Sequence, residues 1–158
     1  MSFVGNYVVI DGMWIYYEAL GKGRPIVLIH TAGTDSRIWR DFMIEFSNTF
    51  KDKFMLIAPD LPGHGKSDPW PNWYREQRIS IAYYADFIIK FIDTLGVSEE
   101  PIIMGCSIGG DIALKIAIEF GKRGRKSFVF PINAAMRTRT FTEDEIKTFE
   151  PADMARLL

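Results

Sequence analysis

The sequence predicts an α/β fold: a mostly parallel sheet, opened by an antiparallel hairpin, with helices on both faces. Three observations carry this. Short wholly apolar runs alternate with amphipathic stretches of helical period, which is the order of a parallel sheet with covering helices. Two runs rich in Val, Ile, Tyr and Trp flank Asp11-Gly12, the dipeptide of a tight hairpin turn. The chain has 158 residues, 47% hydrophobic, 19 Lys+Arg against 20 Asp+Glu and 1 Cys, a composition of one globular domain without disulfide staples. Such a length buries roughly two thirds of its unfolded surface, enough for a core of its own.

The elements follow in order. The hairpin strands are expected over 3–10 and 13–19. The segment 21–25, Gly-Lys-Gly-Arg-Pro, breaks the chain before Ile26-Val27-Leu28-Ile29, a run suited to a strand buried on both faces. Asp35 or Ser36 caps a helix whose Trp39, Phe42, Met43 and Phe46 recur at helical spacing. Phe54-Met55-Leu56-Ile57-Ala58 is the next buried strand, and a loop rich in Pro, Gly and Trp runs from Asp60 to about Arg78.

Ser80 precedes a long helix with the stripe Ile81, Tyr84, Ala85, Ile88, Ile92 and Leu95, an Asp86–Lys90 pair opposite, and Gly96 as its stop. Strands are then expected at 101–104 and 127–130, the second extending to 132, with a helix over 108–121 between them. Thr142 and Glu145 are spaced as a capping box of a further helix, which Pro151 interrupts.

Several function classes are excluded early. A net charge of −1 without a basic stripe leaves no electrostatic footprint for nucleic acid or an acidic membrane surface. The N-terminus lacks a basic segment followed by an apolar one, and no run reaches the ~20 apolar residues of a membrane span, so the expected location is cytoplasmic. Cys106 has no partner for an internal disulfide and reads as a small core residue. Lys122, Arg123, Arg125 and Lys126 read as a solvated loop.

The chemistry concentrates at Gly105-Cys106-Ser107-Ile108-Gly109, a Gly-x-Ser-x-Gly between a predicted strand and a predicted helix. A serine on so tight a turn takes a strained backbone, and Gly105 and Gly109 remove side chains that would strike the neighbouring strand and helix. The turn exposes Oγ of Ser107 and leaves the Ile108 amide at a helix N-terminus, able to donate to an oxyanion. The alternative is a glycine-rich packing turn. Trp70, Trp73 and Tyr74 either line a substrate cleft or pack on one another. Asp111 and Glu119 read as solvated or capping residues.

With these residues in place the chain resembles the α/β-hydrolase fold, in the branch of small esterases and carbon–carbon bond hydrolases. PIVLIHTAGTDSRIW (25–39) is similar to the family's strand and oxyanion loop, DLPGHGKSD (60–68) to its Asp-x-Pro-Gly-x-Gly-x-Ser-Asp loop, and 81–97 to the helix before the elbow strand. The resemblance implies Ser107 as nucleophile and the amides of Ile108 and Ala32 as oxyanion donors. Thr31 departs from the family's usual Gly; a β-branched residue tolerates positive φ poorly, so a differently shaped loop is expected there.

In the family the acid and the base follow the nucleophile in chain order. His30 and His64, the 2 histidines, both precede Ser107, so they are expected to be structural. Asn133 is not ionisable, and Asp144, Glu150 and Asp153 fall in the start of a lid helix. The resemblance therefore implies residues 1–135 as the N-terminal part of a hydrolase core lacking its last strands, and 136–158 as the start of a lid or cap. The strand at 127–132 becomes an apolar edge that a second polypeptide or a second copy would cover.

The expected activity is hydrolysis of an ester-like bond, or of a carbon–carbon bond beside a carbonyl, in a small apolar or acyl substrate. The expectation includes no cofactor and no metal, and little turnover by these residues alone. A non-catalytic protein that keeps the pocket for a small ligand is the alternative. A nucleotide-binding domain is set aside because no Gly-x-Gly-x-x-Gly follows the first parallel strand.

Overall fold

The computed structural model describes residues 3–72, 79–97, 100–135 and residue 144. The hairpin strands are β1 (Val4–Ile10) and β2 (Met13–Gly21). Ile10 pairs with Met13, and the two residues between them have positive φ, 49° at Asp11 and 79° at Gly12. That is the mirror-image turn whose twist suits a two-residue hairpin.

Strands β3 (Arg24–Ile29), β4 (Phe54–Pro59), β5 (Ile102–Cys106) and β6 (Phe128–Ile132) complete a six-stranded sheet in the order β1-β2-β4-β3-β5-β6. The hairpin joins antiparallel through β2 and β4, and the remaining pairings are parallel. This is the predicted mostly parallel sheet.

The apolar run in β3 divides between two cores as a strand buried on both faces must. Val27 and Ile29 join a cluster with Phe87, Ile88, Phe91 and Ile112 on one side, while Ile26 and Leu28 join Trp39, Met43 and Leu56 on the other. Helices α2 (Ile81–Thr94) and α3 (Ile108–Lys122) thus cover one face, and α1 (Arg40–Phe50) covers the opposite one. The expected cap at Asp35 is present, its side chain accepting from the Arg37 amide, but it opens a 3-10 turn, Ser36–Trp39, ahead of α1. Asp86 and Lys90 pair at 3.1 Å, and Gly96 ends α2 with φ +64°. Ser80 takes the N-cap position of α2 without a side-chain hydrogen bond.

Two expectations are corrected. Trp70 lies in no cleft; it is buried in the core against Tyr84 and Phe87 at 5.5 and 5.7 Å between rings. Trp73 and Tyr74 lie outside the described residues. Asp111 is not solvated but 6% exposed, in the first turn of α3, whereas Glu119 pairs with Lys115 and Lys122 as a surface residue does. The basic run lies at the surface, Lys122 ending α3 and Arg123, Arg125 and Lys126 following it, with Arg125 reaching Asp93 at 2.9 Å.

Strand β6 forms one end of the described sheet and is apolar, with Ile132 42% exposed. The Phe128 N–H and Ile132 carbonyl bond toward β5, so alternation turns Val129 and Pro131 to the free side. Pro131 has no N–H, so the edge withholds one donor from any added strand, a feature that limits edge pairing. The segment 136–158, expected to start a lid, and its Thr142–Glu145 box lie outside the described residues apart from Asp144. No described helix is long and apolar enough to cross a membrane.

Candidate active site

Strands β3 and β5 are neighbours in parallel register, Ile29 opposite Gly105. The segments that follow them, 30–35 and the turn at Ser107, therefore emerge side by side at the carboxyl ends of the strands, where open α/β sheets place their ligands.

Ser107 has φ 54° and ψ −118°, the strained conformation expected of a serine at the head of a helix, at a cost of about 1–3 kcal/mol. Its amide bonds the Ile132 carbonyl at 2.9 Å, and its own carbonyl receives the Gly110 and Asp111 amides at 2.8 and 3.1 Å. The turn is thus held from β6 and from within α3. A Cβ on Gly105 would lie 2.0 Å from the Gly109 carbonyl oxygen, and one on Gly109 would lie 2.3 Å from that of Ile29. The two glycines are required because helix, elbow strand and β3 meet there without room for a side chain. Ile108, the first residue of α3, has an amide that lacks an intrahelical acceptor.

The Ala32 segment is set by His30. This ring is fully buried; Nε2 accepts from the Leu61 amide at 2.9 Å and Nδ1 lies 2.8 Å from the Thr31 carbonyl. Those partners assign the neutral tautomer with the proton on Nδ1. Burial pushes the His30 pKa below its usual value, with the nearby His64 acting in the same direction and the Thr31 carbonyl opposing. The structural reading of His30 is borne out: both nitrogens are engaged, and neither is free to take a proton from serine.

The positive φ that Thr31 would have tolerated poorly falls instead on Gly33, at 72°. His64 packs on His30 with ring centroids 5.0 Å apart, and its Nδ1 lies 3.2 Å from the Pro62 carbonyl.

Asp60 joins this side together. It is 2% exposed, and its carboxylate accepts from the Ser36 amide at 2.7 Å and the Lys66 amide at 2.8 Å. The loop after β4 is thereby tied to the loop after β3. Ser67 and Asp68 tie it to β2, accepting from the Tyr16 and Trp14 amides. Gly65 is required because a Cβ there would lie 2.0 Å from an Asp60 oxygen.

Sequence reasoning missed a second polar cluster: Glu18, 1% exposed, accepts from Arg40 and from the Tyr16 hydroxyl. The Arg40 guanidinium holds the Glu18 carboxyl below the usual carboxylate range, with burial opposing. The only available signal was a Glu on the inward register of β2.

An open cleft of about 710 Å³ lies between these loops, lined by Gly33, Thr34, Asp35, Arg37 and His64 among others; Ser107 is not part of its wall. Arg37 beside Asp35 lowers that carboxyl to about 2. Among the described residues, no group of three or more His, Cys, Asp or Glu side chains is placed to hold a metal. Cys106 packs at the margin of the α1-side cluster.

Comparison with known proteins agrees with this fold. Residues 24–130 match the alpha/beta hydrolase fold family. The chain is 33% identical over 119 residues to the dihydrolipoyllysine-residue acetyltransferase component of the acetoin cleaving system of Cupriavidus necator, covering 75% of this chain and 29% of that protein. It is 27% identical to 2-hydroxymuconate semialdehyde hydrolase of Pseudomonas sp. strain CF600, covering 98% of this chain and 53% of that one. A solved meta-cleavage product hydrolase superposes with a TM-score of 0.68 at 28% identity, covering 83% of this chain and 45% of that structure. The chain thus spans about half, or less, of the length of these relatives.

Proposed function

As the chain belongs to the alpha/beta hydrolase fold family, we propose that it carries the nucleophile and oxyanion side of a serine hydrolase site. The bond cleaved is ester-like, or a carbon–carbon bond beside a carbonyl, in a small apolar or acyl substrate. Oγ of Ser107 attacks the carbonyl carbon while the carbonyl π pair moves onto oxygen. The Ile108 and Ala32 amides receive the resulting oxyanion. The observation that carries this reading is the strained Ser107 backbone with Gly105 and Gly109 leaving no room for a Cβ, an arrangement with no evident use in simple packing. The similarity to 2-hydroxymuconate semialdehyde hydrolase supports the choice of bond class.

A serine hydroxyl at neutral pH needs a base. No His follows Ser107, and His30 is committed to Leu61 and Thr31. The reading therefore takes the base and the acid from outside these 158 residues, by way of a second polypeptide or further chain docked along β6. Hydrolysis of p-nitrophenyl acetate by this chain and by its Ser107→Ala form tests it. Little or no Ser107-dependent turnover is expected; robust turnover lost in Ser107→Ala would return His64 to consideration as the base.

The engagement of both His30 nitrogens also favours a second reading, a non-catalytic protein that binds a small apolar ligand in the same place. A fluorophosphonate probe, applied with free imidazole as an external base, separates the two. The hydrolase reading expects label on Ser107, and the binding reading expects none.

A further inference from the structure

We propose that Thr34 is a positioning residue for the Ala32 amide, an inference that rests on the oxyanion role given to that amide above. The Thr31 carbonyl is gripped by three donors: the His30 Nδ1–H at 2.8 Å, the Thr34 hydroxyl at 2.8 Å and the Thr34 amide at 3.4 Å. The Thr34 hydroxyl also lies 3.5 Å from His30 Nδ1, so ring, hydroxyl and carbonyl form one compact group.

No peptide bond among the described residues is cis. In a trans peptide the carbonyl and the following N–H point in opposite directions. Turning the Thr31 carbonyl in toward His30 therefore turns the Ala32 N–H out, at an exposed residue two positions beyond the His30 that follows β3, and Gly105 of the elbow strand is paired with Ile29 beside it.

His30 cannot fix this plane alone. Its ring is anchored through Nε2 to Leu61, so Nδ1–H contributes one bond from one direction. With Gly33 next in the chain, at φ 72°, the peptide plane has a flexible neighbour and needs a second fixed contact. The Thr34 hydroxyl supplies it from the far side of Gly33. The hydroxyl reaches backward to residue 31 and caps no helix; the cap of the following 3-10 turn belongs to Asp35.

Phenylboronic acid tests the assignment. Its boron bonds Oγ of Ser107 while the serine proton leaves to solvent, and the tetrahedral boronate anion mimics the oxyanion. Binding to the full chain is followed by the boron-11 signal and by the amide resonance of Ala32. Thr34→Val keeps the shape and loses the hydroxyl, whereas Thr34→Ser keeps it.

Removing an oxyanion donor outright costs 10²–10³-fold in rate, so misdirecting one is expected to weaken boronate binding about tenfold in Thr34→Val, with Thr34→Ser within about twofold of the unaltered chain. The Ala32 amide resonance should shift in free Thr34→Val and not in free Thr34→Ser. Urea midpoints recorded for each variant separate loss of fold from loss of position. Unchanged boronate affinity in Thr34→Val, or a Thr34→Ser as weak as Thr34→Val, overturns the role of Thr34 while leaving Ser107 intact. An adduct that forms equally with Ser107→Ala, or none at all, overturns the reading of Ser107, and this inference with it.

Discussion

The two sides of the sheet's carboxyl edge use their polar residues in opposite ways. Beyond β3 and β4, His30, Asp60, Ser67 and Asp68 each hold backbone groups of neighbouring segments, and the loops are closed on one another. Beyond β5 and β6, backbone bonds hold the turn, and Ser107 sits on a strained backbone with no described histidine or carboxylate bonded to its hydroxyl. One side uses its titratable groups for structure; the other stores strain at a serine on a tight turn.

Substitutions can break this contrast. The largest effect is expected from Gly109→Ala, where the new methyl meets the Ile29 carbonyl oxygen at 2.3 Å: a loss of about 4 kcal/mol in urea unfolding, or failure to fold. Gly121→Ala, with nothing within 4 Å of the added methyl, serves as the control and should stabilise the helix by up to ~1 kcal/mol. On the other side, Asp60→Ala leaves the Ser36 and Lys66 amides without their acceptor and should cost about 3 kcal/mol in the same assay. A loss no larger than that of an exposed carboxylate would deny Asp60 its role.

Acidification should act on the β3 side. Because burial lowers the folded pKa of His30 below its ordinary 6.5, the unfolded chain takes up the proton first. The stability this neutral histidine confers is complete above about pH 6.5 and declines as pH falls below it toward the lower folded value. Thr31, Thr34, His64, Asp60 and Asp35 surround the ring, and the carboxylates moderate the effect. Urea midpoints between pH 7.5 and 5 should fall for the unaltered chain and flatten in His30→Asn. The smallest effect is expected at the elbow: Ser107→Gly relieves the positive φ and should raise stability by about 1 kcal/mol. A destabilised Ser107→Gly would mean that the elbow holds no strain.

The contrast was partly legible in the sequence. The hairpin and the elbow could be read because their causes are local: Asp11-Gly12 supplies two positive φ values, and Gly105 and Gly109 announce a close approach of backbone. The apolar strands were legible because β3 is buried on both faces. What failed to show was non-local. Asp60 looks like any loop aspartate until the fold brings Ser36 to it, and Glu18 and Arg40 are 22 residues apart along the chain. The turn at 30–34 is a further case: the sequence does not say which residue of Thr31-Ala32-Gly33 carries the positive φ, and the fold puts it on Gly33. Trp70 read as a loop aromatic, yet it fills the core beside Phe87.

The central claim is that Ser107 is a correctly held nucleophile lacking a base within this chain. Chemical rescue tests it most directly. With p-nitrophenyl acetate as acyl donor, the chain and its Ser107→Ala form are compared with and without free imidazole, and acetylation is located by peptide mass. The account predicts acetyl-Ser107 that rises with imidazole, exceeds modification of the exposed serines, and is absent in Ser107→Ala. Rapid Ser107-dependent turnover without imidazole, or no acetyl-Ser107 at any imidazole concentration, would contradict it.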